Sequence, residues 1–232
     1  MNPVDFSIVL PCLNEENTIG RCIDKIQAFF KTTPYSFEIV VADNGSTDRS
    51  QEIARTKQAR IVLEPIKGYG NALKKGIENC YGKYIIMGDA DDSYNFLELH
   101  DFIKRLEEGY DMVIGNRFAG GIHHQAMPWL HRYIGNPILS SIARILFKNN
   151  IKDYHCGLRA FKTDCYHELN PQCQGMEFAS ELIVLAIIHH RLISEVPVTL
   201  YPDGRNRKSH LVTWRDGYRH LRLLLQLYIH PR

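Results

Sequence analysis

The side chains best suited to chemistry are Asp89 and Asp91, which stand two positions apart after the mainly apolar run 84–88. Two carboxylates at one strand end can bind a single divalent cation, because Mg²⁺ and Mn²⁺ prefer hard oxygen ligands and often keep substrate phosphates as further ligands. By itself this spacing is more typical of a polar loop with helix-capping aspartates. A third acid, Asp92, adjoins the pair, and three like charges at one strand end repel one another unless a cation is present. The sequence therefore predicts that Asp89 and Asp91 bind Mg²⁺ or Mn²⁺.

A further acid, Asp43, ends another apolar run and precedes the turn residues Asn44 and Gly45. An acid at a strand end can accept hydrogen bonds from ribose hydroxyls or from a base N–H. The same segment also suits a plain turn followed by a helix cap. On these residues alone, ligand recognition and turn formation are equally favoured.

The segment 67–72 begins with Lys67 and Gly68 and contains a second glycine before a predicted helix. Exposed N–H groups at a helix start and a nearby cation suit a phosphate. The segment lacks the patterns of a P-loop and of a dinucleotide-binding fold. A tight turn with close helix packing is therefore somewhat favoured over phosphate binding.

The elements that must position these residues alternate regularly in the first half of the chain. Predicted strands cover 6–10, 37–42, 60–63 and 83–87, and a helix follows each of the first three. This alternation predicts βαβ units and an α/β fold with a mainly parallel central sheet flanked by helices. Ligands of such sheets bind beyond the carboxyl ends of the strands, which is where the polar clusters after strands one, two and four fall.

The second half is less regular. It predicts a strand over 112–115, helices over 129–147, 178–190 and 214–229, and a strand over 193–200 that Pro197 restricts to a sheet edge. We expect a catalytic domain over 1–212 and a C-terminal amphipathic, membrane-proximal helix over 213–232.

Composition excludes several classes of protein. The 232 residues are 44% hydrophobic with a formal net charge of +2, which is typical of a globular protein and argues against a nucleic-acid partner. The residues from 203 onwards are strongly basic and favour an anionic partner. The six cysteines form no CxxC pair and predict reduced thiols in a cytoplasmic protein. We expect neither a signal peptide nor a membrane span.

Five segments in this order resemble glycosyltransferase family 2, and most of all its branch of dolichol-phosphate mannose synthases and polyprenyl-phosphate hexosyltransferases. They are 8–15, 43–48, 67–72, 88–91 and 115–118. The resemblance covers nearly the whole chain, and five ordered motifs are highly specific. It implies a nucleotide-diphospho-sugar transferase fold of the GT-A type, inversion at the anomeric carbon and a divalent metal.

The resemblance also implies roles for single residues. Asp91 would be a metal ligand and catalytic residue, and Arg117 would lie near the transferred phosphate or sugar. Asn44 departs from the acid found in many relatives, which leaves UDP-glucose and GDP-mannose both open as donors. The residues implied to bind the donor are Pro11, Asn14, Glu15, Asp43, Lys67, Gly68 and Asp89.

Three later segments extend the resemblance. Residues 153–161 resemble the acceptor-side loop, 175–181 the segment before the next helix, and 201–210 a basic segment near the membrane. Arg205 and Arg207 would bind a diphosphate or lipid phosphate, with a solvated loop as the alternative. Glu181 is a candidate catalytic base, with a helix N-terminus as the equally favoured alternative.

The implied reaction transfers a hexose from the nucleotide-sugar donor to dolichyl or undecaprenyl phosphate at the cytoplasmic face of a membrane. A phosphate acceptor is already ionised, whereas a sugar hydroxyl needs a base such as Glu181 or Asp153. The alternative is a soluble glycosyltransferase acting on a polysaccharide, lipid A or a protein. We expect peripheral membrane contact, and a homo-oligomer stays open.

Two other classes fit the sequence less well. A nucleotidyltransferase usually has a glycine- and basic-rich loop after its first strand, and residues 11–15 are neither. A non-catalytic sugar-nucleotide sensor has no need to keep both Asp89 and Asp91.

Overall fold

The computed structural model describes residues 4–205 and 213–232, and of Thr213 the backbone only. Its described strands form one sheet in the order β3-β2-β1-β4-β6-β5-β7. Neighbouring strands are parallel except for β6, which is antiparallel to both β4 and β5. The predicted mainly parallel sheet is confirmed. The strands are β1 Val4–Cys12, β2 Phe37–Asp43, β3 Arg60–Leu63, β4 Gly82–Met87, β5 Met112–Asn116, β6 Arg159–Lys162 and β7 Ile193–Pro197.

Helices flank this sheet and connect its strands. A π-helical turn, His131–Gly135, leads directly into the sixth α-helix. The α-helices are α1 Ile19–Phe30, α2 Ser50–Thr56, α3 Tyr69–Glu78, α4 His100–Glu107, α5 Arg117–Gly120, α6 Asn136–Phe147, α7 Thr163–Leu169, α8 Phe178–Ile188 and α9 Thr213–Ile229.

The first half folds as its hydrophobic pattern predicts. β1 is the central strand of that half, pairing with β2 on one side and β4 on the other, and residues 6–10 are therefore buried as a continuous run. On α1 the buried positions recur at helical spacing, so that one face packs on the sheet. The buried residues of α1 are Ile19, Cys22, Ile23, Ile26, Phe29 and Phe30, all of them predicted.

The second half differs more from prediction. The strand β6, placed by the sequence in an acceptor-side loop, is only four residues long and reverses direction inside a parallel sheet. The helices α4 and α7 were not predicted, and the predicted helix over 129–147 begins instead with the π-helical turn. β7 ends at Pro197 and lies at the sheet edge, as predicted.

Two helices complete the core beside β6. α8 is apolar on all sides, and nine of its eleven residues, Phe178 to Ala186, are buried. α9 packs against α6 and α8 and contributes Leu223, Leu224 and Leu227 to the same core. Among the described residues, no helix combines the length and apolar character that crossing a bilayer requires.

Candidate functional site

The polar clusters after β1, β2 and β4 meet at one edge of the sheet, because these adjacent strands are parallel. Cys12 at the end of β1 is in register with Asp43 at the end of β2. The loops that follow are joined by a hydrogen bond from the Glu15 N–H to Ser50 Oγ, 2.7 Å long. The predicted convergence on one edge is thus confirmed.

Asp43 divides its two carboxylate oxygens between two tasks. Its Oδ2 accepts hydrogen bonds from the N–H groups of Gly45 and Ser46, both at 3.1 Å, and from Gln51 Nε2 at 2.9 Å. Its Oδ1 is buried and accepts no hydrogen bond from the residues that the structure describes. A buried acceptor without a donor is costly. The turn and the recognition interpretations therefore both fit, one for each oxygen, and Oδ1 is suited to an N–H or O–H of a ligand.

Asn14 holds the β1 and β2 loops together. Its backbone has a φ of 59°, in the left-handed region that asparagine tolerates. Its N–H donates to Ser46 Oγ at 2.8 Å, and its Oδ1 accepts from the Thr47 N–H at 2.7 Å. Pro11 lies in β1 opposite Ala42 and is half-buried.

Lys67 and Gly68 brace the loop after β2. Lys67 Nζ donates to the carbonyl of Asn44 at 2.6 Å, and the Gly68 N–H donates to Asn44 Oδ1 at 2.8 Å. A Cβ at Gly68 would lie 2.3 Å from the carbonyl oxygen of Gln174, and its φ of 147° also favours glycine. These contacts match the tight turn that the sequence favoured here.

Asp89 is held from two sides. Its Oδ1 accepts a hydrogen bond from the Tyr69 hydroxyl at 3.0 Å. Its Oδ2 lies so close to Gly157 that a Cβ there would be 2.2 Å away. Burial, together with the nearby charge of Asp91, raises the pKa of Asp89 from an ordinary 3.8 to about 6. A bound cation would relieve this repulsion.

Asp91 shares a cation with Glu15. The Arg205 guanidinium lies 2.9 Å from Asp91 Oδ2 and 2.9 Å from Glu15 Oε1. The other oxygen of Asp91 accepts hydrogen bonds from the N–H and the hydroxyl of Ser93. Arg205 thus lies beside Glu15 and Asp91, and its role in binding a diphosphate or lipid phosphate stays a prediction. Arg207 lies outside the described residues.

Asp92 does not join the three repelling acids that the sequence predicts. Asp92 has a φ of 64° and turns its carboxylate to α1, where it pairs with Arg21 Nε at 3.0 Å and Lys25 Nζ at 2.7 Å. Its charge is therefore compensated within the protein. Asp89 and Asp91 remain directed at the site, where Arg205 pairs with Asp91 and the Tyr69 hydroxyl donates to Asp89.

The two carboxylates fit a divalent cation whose remaining ligands come from elsewhere. Within residues 4–205 and 213–232, no group of three or more His, Cys, Asp or Glu side chains could hold a metal. A pair of hard oxygen donors leaves coordination positions for phosphate oxygens and water, which is the arrangement that Mg²⁺ commonly adopts. The donor set therefore suits a cation that binds together with a diphosphate.

Arg117 is bound to Asp153 in a buried, bidentate ion pair. Nε and Nη2 of Arg117 donate to the two Asp153 oxygens, both at 2.8 Å, and the Arg117 N–H also donates to Oδ2. Burial alone would raise the pKa of Asp153, but the charge of Arg117 outweighs it and the pKa is lowered. The charge of Arg117 also acts on Asp89, where it opposes the rise in pKa that burial and Asp91 cause, so the ion pair lies within electrostatic reach of the site.

Glu181 is fully buried and holds a loop. Its oxygens accept the N–H groups of Gln172 at 3.0 Å and Cys173 at 2.7 Å, and it also pairs with Arg232. That loop packs against Gly68 and Gly70 at the start of α3. These contacts describe a residue that positions the loop, and a role as catalytic base stays a prediction.

A polar cleft of about 380 Å³ lies between the turn at 67–68 and the loop held by Glu181. Glu177 Oε2 is buried there and accepts no hydrogen bond from the described residues. The cations of Lys67 and Arg219, together with this Glu177 oxygen, suit a hydroxylated or phosphorylated ligand. The cleft is lined by Lys67, Gly68, Gln172, Cys173, Gln174, Gly175, Glu177 and Arg219.

Sequence reasoning missed Tyr69, Gly157 and Arg159. Arg159 is completely buried, and its guanidinium donates to the carbonyl oxygens of Cys156 at 2.8 Å, Tyr154 at 2.9 Å, and Ala179. It fastens the loop before β6 to α8. Nothing in the local pattern distinguishes these residues from others in their segments, because the fold brings Asp89 to Tyr69 and Gly157, and Ala179 to Arg159.

A pair of imidazoles joins the acceptor-side loop to α9. The rings of His155 and His220 meet edge to face with centroids 4.8 Å apart, and His220 Nδ1 is 2.8 Å from Ser180 Oγ. Burial lowers the pKa of His220 to about 4, although Asp216 acts in the opposite direction. Burial and His220 lower the pKa of His155 as well. Both rings are therefore neutral at pH 7.

Comparisons with known proteins agree with this geometry. Residues 7–169 match the family described as "Glycosyl transferase family 2". The low-salt glycan biosynthesis hexosyltransferase Agl6 of Haloferax volcanii is 40% identical over 95% of this chain, and the chain spans about half, 53%, of that relative. A dolichyl-phosphate hexose transferase of the same organism is 30% identical over 84% of this chain and 82% of its own length.

Solved structures show the same fold. Glucosyl-3-phosphoglycerate synthase from Mycobacterium tuberculosis, in complex with Mn²⁺, UDP and glucosyl-3-phosphoglycerate, has a TM-score of 0.75 over 97% of this chain and 80% of that one. At 22% sequence identity this likeness concerns the fold alone and confirms the expected GT-A type.

Proposed function

The chain belongs to glycosyltransferase family 2, and we propose that it transfers a hexose from a nucleotide-diphospho-sugar, UDP-glucose or GDP-mannose, to a polyprenyl phosphate. The observation that carries this proposal is the cluster at the sheet edge. Asp89, Asp91 and Arg205 lie together there, next to the loop in which one buried oxygen of Asp43 accepts no hydrogen bond from the part of the chain that the structure describes.

The donor is proposed to bind with its nucleoside at the β1 and β2 loops. Asp43 Oδ1 would accept an N–H or O–H from the nucleoside, and Pro11 and Asn14 would shape the surface beneath it. Glu15 holds Arg205 in place from the other side at 2.9 Å. Lys67 and Gly68 would keep the Asn44 loop in position.

The diphosphate is proposed to lie between Asp89, Asp91 and Arg205. Mg²⁺ or Mn²⁺ bound by Asp89 and Asp91 would supply positive charge for the leaving nucleoside diphosphate. Arg205 would move from the Asp91 carboxylate to the phosphate oxygens, because a guanidinium binds phosphate as readily as carboxylate. Tyr69 and Gly157 fix the direction of the Asp89 carboxylate, and such preorganisation lowers the barrier.

The state of the candidate bases supports a phosphate acceptor. Asp153 is engaged by Arg117 through both oxygens, and Glu181 by Gln172, Cys173 and Arg232. A hydroxyl acceptor would need a carboxylate that can receive a proton, whereas a lipid phosphate is ionised near neutral pH. The name of the dolichyl-phosphate hexose transferase relative points to the same class of acceptor. Such an acceptor also implies peripheral contact with a membrane.

The test is transfer of radiolabelled sugar from UDP-glucose or GDP-mannose to a purified polyprenyl phosphate with Mn²⁺ or Mg²⁺. We expect a butanol-soluble, acid-labile product with one of the two donors, and none when the metal is chelated. The Glu181→Gln protein should keep most of its transfer to the lipid phosphate, whereas a general base would lose about 10²–10⁴-fold. Transfer only to a polysaccharide, lipid A or protein hydroxyl would replace the proposed acceptor.

A further inference from the structure

The segment that follows Asp91 contacts the acceptor-side loop through one buried hydroxyl. Tyr94, three positions after Asp91, is only 2% exposed. Its hydroxyl accepts a hydrogen bond from the Gly157 N–H, 2.9 Å long. Gly157 belongs to the acceptor-side loop, which also carries Asp153, the partner of Arg117. The Tyr94 hydroxyl therefore joins the loop of the candidate metal ligands to the loop that holds Arg117.

Gly157 packs directly on the Asp89 carboxylate. A Cβ at Gly157 would lie 2.2 Å from Asp89 Oδ2 and 3.0 Å from the carboxyl carbon, so that only a bare backbone fits there. The Tyr69 hydroxyl donates to Oδ1, and within residues 4–205 and 213–232 no group donates to Oδ2. Oδ2 is therefore available to a cation, and the position of Gly157 limits the directions in which it can point.

The hydrogen bond to Tyr94 gives the Gly157 N–H an acceptor other than the carboxylate beside it. A buried N–H without an acceptor is costly, and nearly all such groups in folded proteins find one. With Tyr94 as the acceptor, this N–H leaves Asp89 Oδ2 unengaged. Without the Tyr94 hydroxyl, Oδ2 would become a competing acceptor, and a hydrogen bond there would oppose metal binding.

The Tyr94 hydroxyl is neutral. Burial raises the pKa of Tyr94 well above its ordinary 10, and the charges of Arg117 and Asp89 act on it in opposite directions. Tyr94 therefore lies within electrostatic reach of both residues and adds no charge to the site at neutral pH.

The backbone before Tyr94 is held by other contacts. The carbonyl of Asp91 accepts the Gly204 N–H, and the carbonyl of Ser93 accepts the Tyr201 N–H, both at 2.9 Å. Tyr94 thus extends from an anchored turn. Its hydroxyl is a fixed point against which the acceptor-side loop is placed.

We propose that Tyr94 is a positioning residue for the metal site, whose hydroxyl holds Gly157 so that Asp89 Oδ2 stays available to the cation. This inference rests on the proposed function and deepens it, because it names a residue on which the binding of Mg²⁺ or Mn²⁺ by Asp89 depends. Tyr94 acts through Gly157 and not by contact with the metal or the donor. Because Gly157 lies in the acceptor-side loop, the orientation of the Asp89 carboxylate also depends on where that loop lies.

The experiment titrates Mn²⁺ into the protein in the presence of UDP or of GDP and follows free and bound Mn²⁺ by electron paramagnetic resonance. Tyr94→Phe removes only the hydroxyl. We expect it to weaken Mn²⁺ binding roughly tenfold, as is common when a group that orients a metal ligand is lost. The spectrum of the Mn²⁺ that stays bound should change as well, because it reports the arrangement of the ligands around the ion.

The matched control is Tyr154→Phe. Tyr154 lies in the acceptor-side loop, is 1% exposed and donates to Asn149 Oδ1 at 2.8 Å. Both variants lose one buried hydroxyl and should lower the urea concentration at the midpoint of unfolding to a similar extent. Only Tyr94→Phe should weaken Mn²⁺ binding, and this difference separates positioning of the metal site from a general loss of stability.

A second variant, Gly157→Ala, changes the same contact from the other side. Its Cβ would meet Asp89 Oδ2, so Mn²⁺ binding should again weaken. Because both changes act on one contact, their effects should not add. The double variant Tyr94→Phe with Gly157→Ala should bind Mn²⁺ about as weakly as Gly157→Ala alone.

Three outcomes would overturn this inference and leave the metal site in place: equal Mn²⁺ affinity in the parent and Tyr94→Phe, equal weakening by Tyr154→Phe, or additive effects in the double variant. A parent protein that binds no Mn²⁺ with either nucleotide would contradict the proposed metal site, and the inference on Tyr94 would fail with it. Binding by the parent therefore distinguishes the two failures.

Discussion

The half of the molecule built on β1–β4 and the half from β5 onwards hold their functional residues by different means. In the first half, Asp43 and Asp89 follow strand ends directly, and the short loops around them are joined to each other. In the second half, Arg117 depends on Asp153, 36 positions away, and Arg159 on carbonyls of a loop and a helix. The comparison indicates that the positions of Asp43 and Asp89 follow from local pattern, because each acid follows a strand end, whereas the contacts of Arg117 and Arg159 depend on buried partners that only the fold brings together.

The largest effect is expected on the donor side. Asp91→Asn should lower kcat by about 10²–10³-fold, because the charge that binds the metal beside the leaving diphosphate is lost. Binding of Mn²⁺ should weaken in parallel, as measured by electron paramagnetic resonance. The matched control is Asp92→Asn, whose partners are Arg21 and Lys25, and which should keep near-parental kcat. Similar losses in both proteins would show that the acids act as one cluster.

On the acceptor side the expected loss is of stability. Asp153→Asn should lower the free energy of unfolding by about 3–5 kcal/mol, since it leaves the buried Arg117 cation unpaired. Urea denaturation measures this loss. Glu108→Gln breaks the exposed pair with Arg105 and should change stability by less than about 1 kcal/mol. A small effect of Asp153→Asn would mean that water or another group reaches Arg117.

Acidification is expected to lower the stability of the folded protein through His220 on α9. The pKa of His220 is about 4 in the folded protein and ordinarily 6.5. Between these pH values, His220 is protonated in the unfolded state and neutral in the folded state. Stability should fall by about 2 kcal/mol from pH 7 to pH 5 through this residue alone. Three other groups act on His220. His155 is a second titrating ring, the positive charge of Arg159 lowers the pKa of His220, and the negative charge of Asp216 raises it.

The measurement compares urea denaturation of the parent and of His220→Asn at both pH values. The asparagine protein should lose that part of the pH dependence, even if it is less stable at pH 7. An unchanged slope would assign the acid sensitivity to other groups.

The smallest expected effect concerns the orientation of the Asp89 carboxylate. Tyr69→Phe removes only the hydroxyl that donates to Asp89, and a hydrogen bond of this kind contributes about 1 kcal/mol. We expect about fivefold weaker Mn²⁺ binding in the presence of nucleoside diphosphate. The control is Tyr35→Phe, which removes a comparable bond to Glu107 far from the site and should leave Mn²⁺ binding unchanged. Equal affinities in all three proteins would exclude a positioning role for Tyr69.

The sequence by itself determined the parallel α/β half, the inner face of α1, the edge position of β7 and the family. It also indicated which acids meet at the sheet edge. These follow from residue patterns that repeat every two or 3.6 positions and from strand ends that parallel pairing brings together.

Only the tertiary structure decided which charged side chains are already engaged by partners within the protein. It paired Asp92 with α1, engaged Glu181 in holding a loop, and placed Tyr69 and Gly157 against Asp89. It also revealed the short antiparallel β6. The physical reason is that electrostatics and packing act through space over about 3–6 Å, and a partner at that distance can come from any position in the chain.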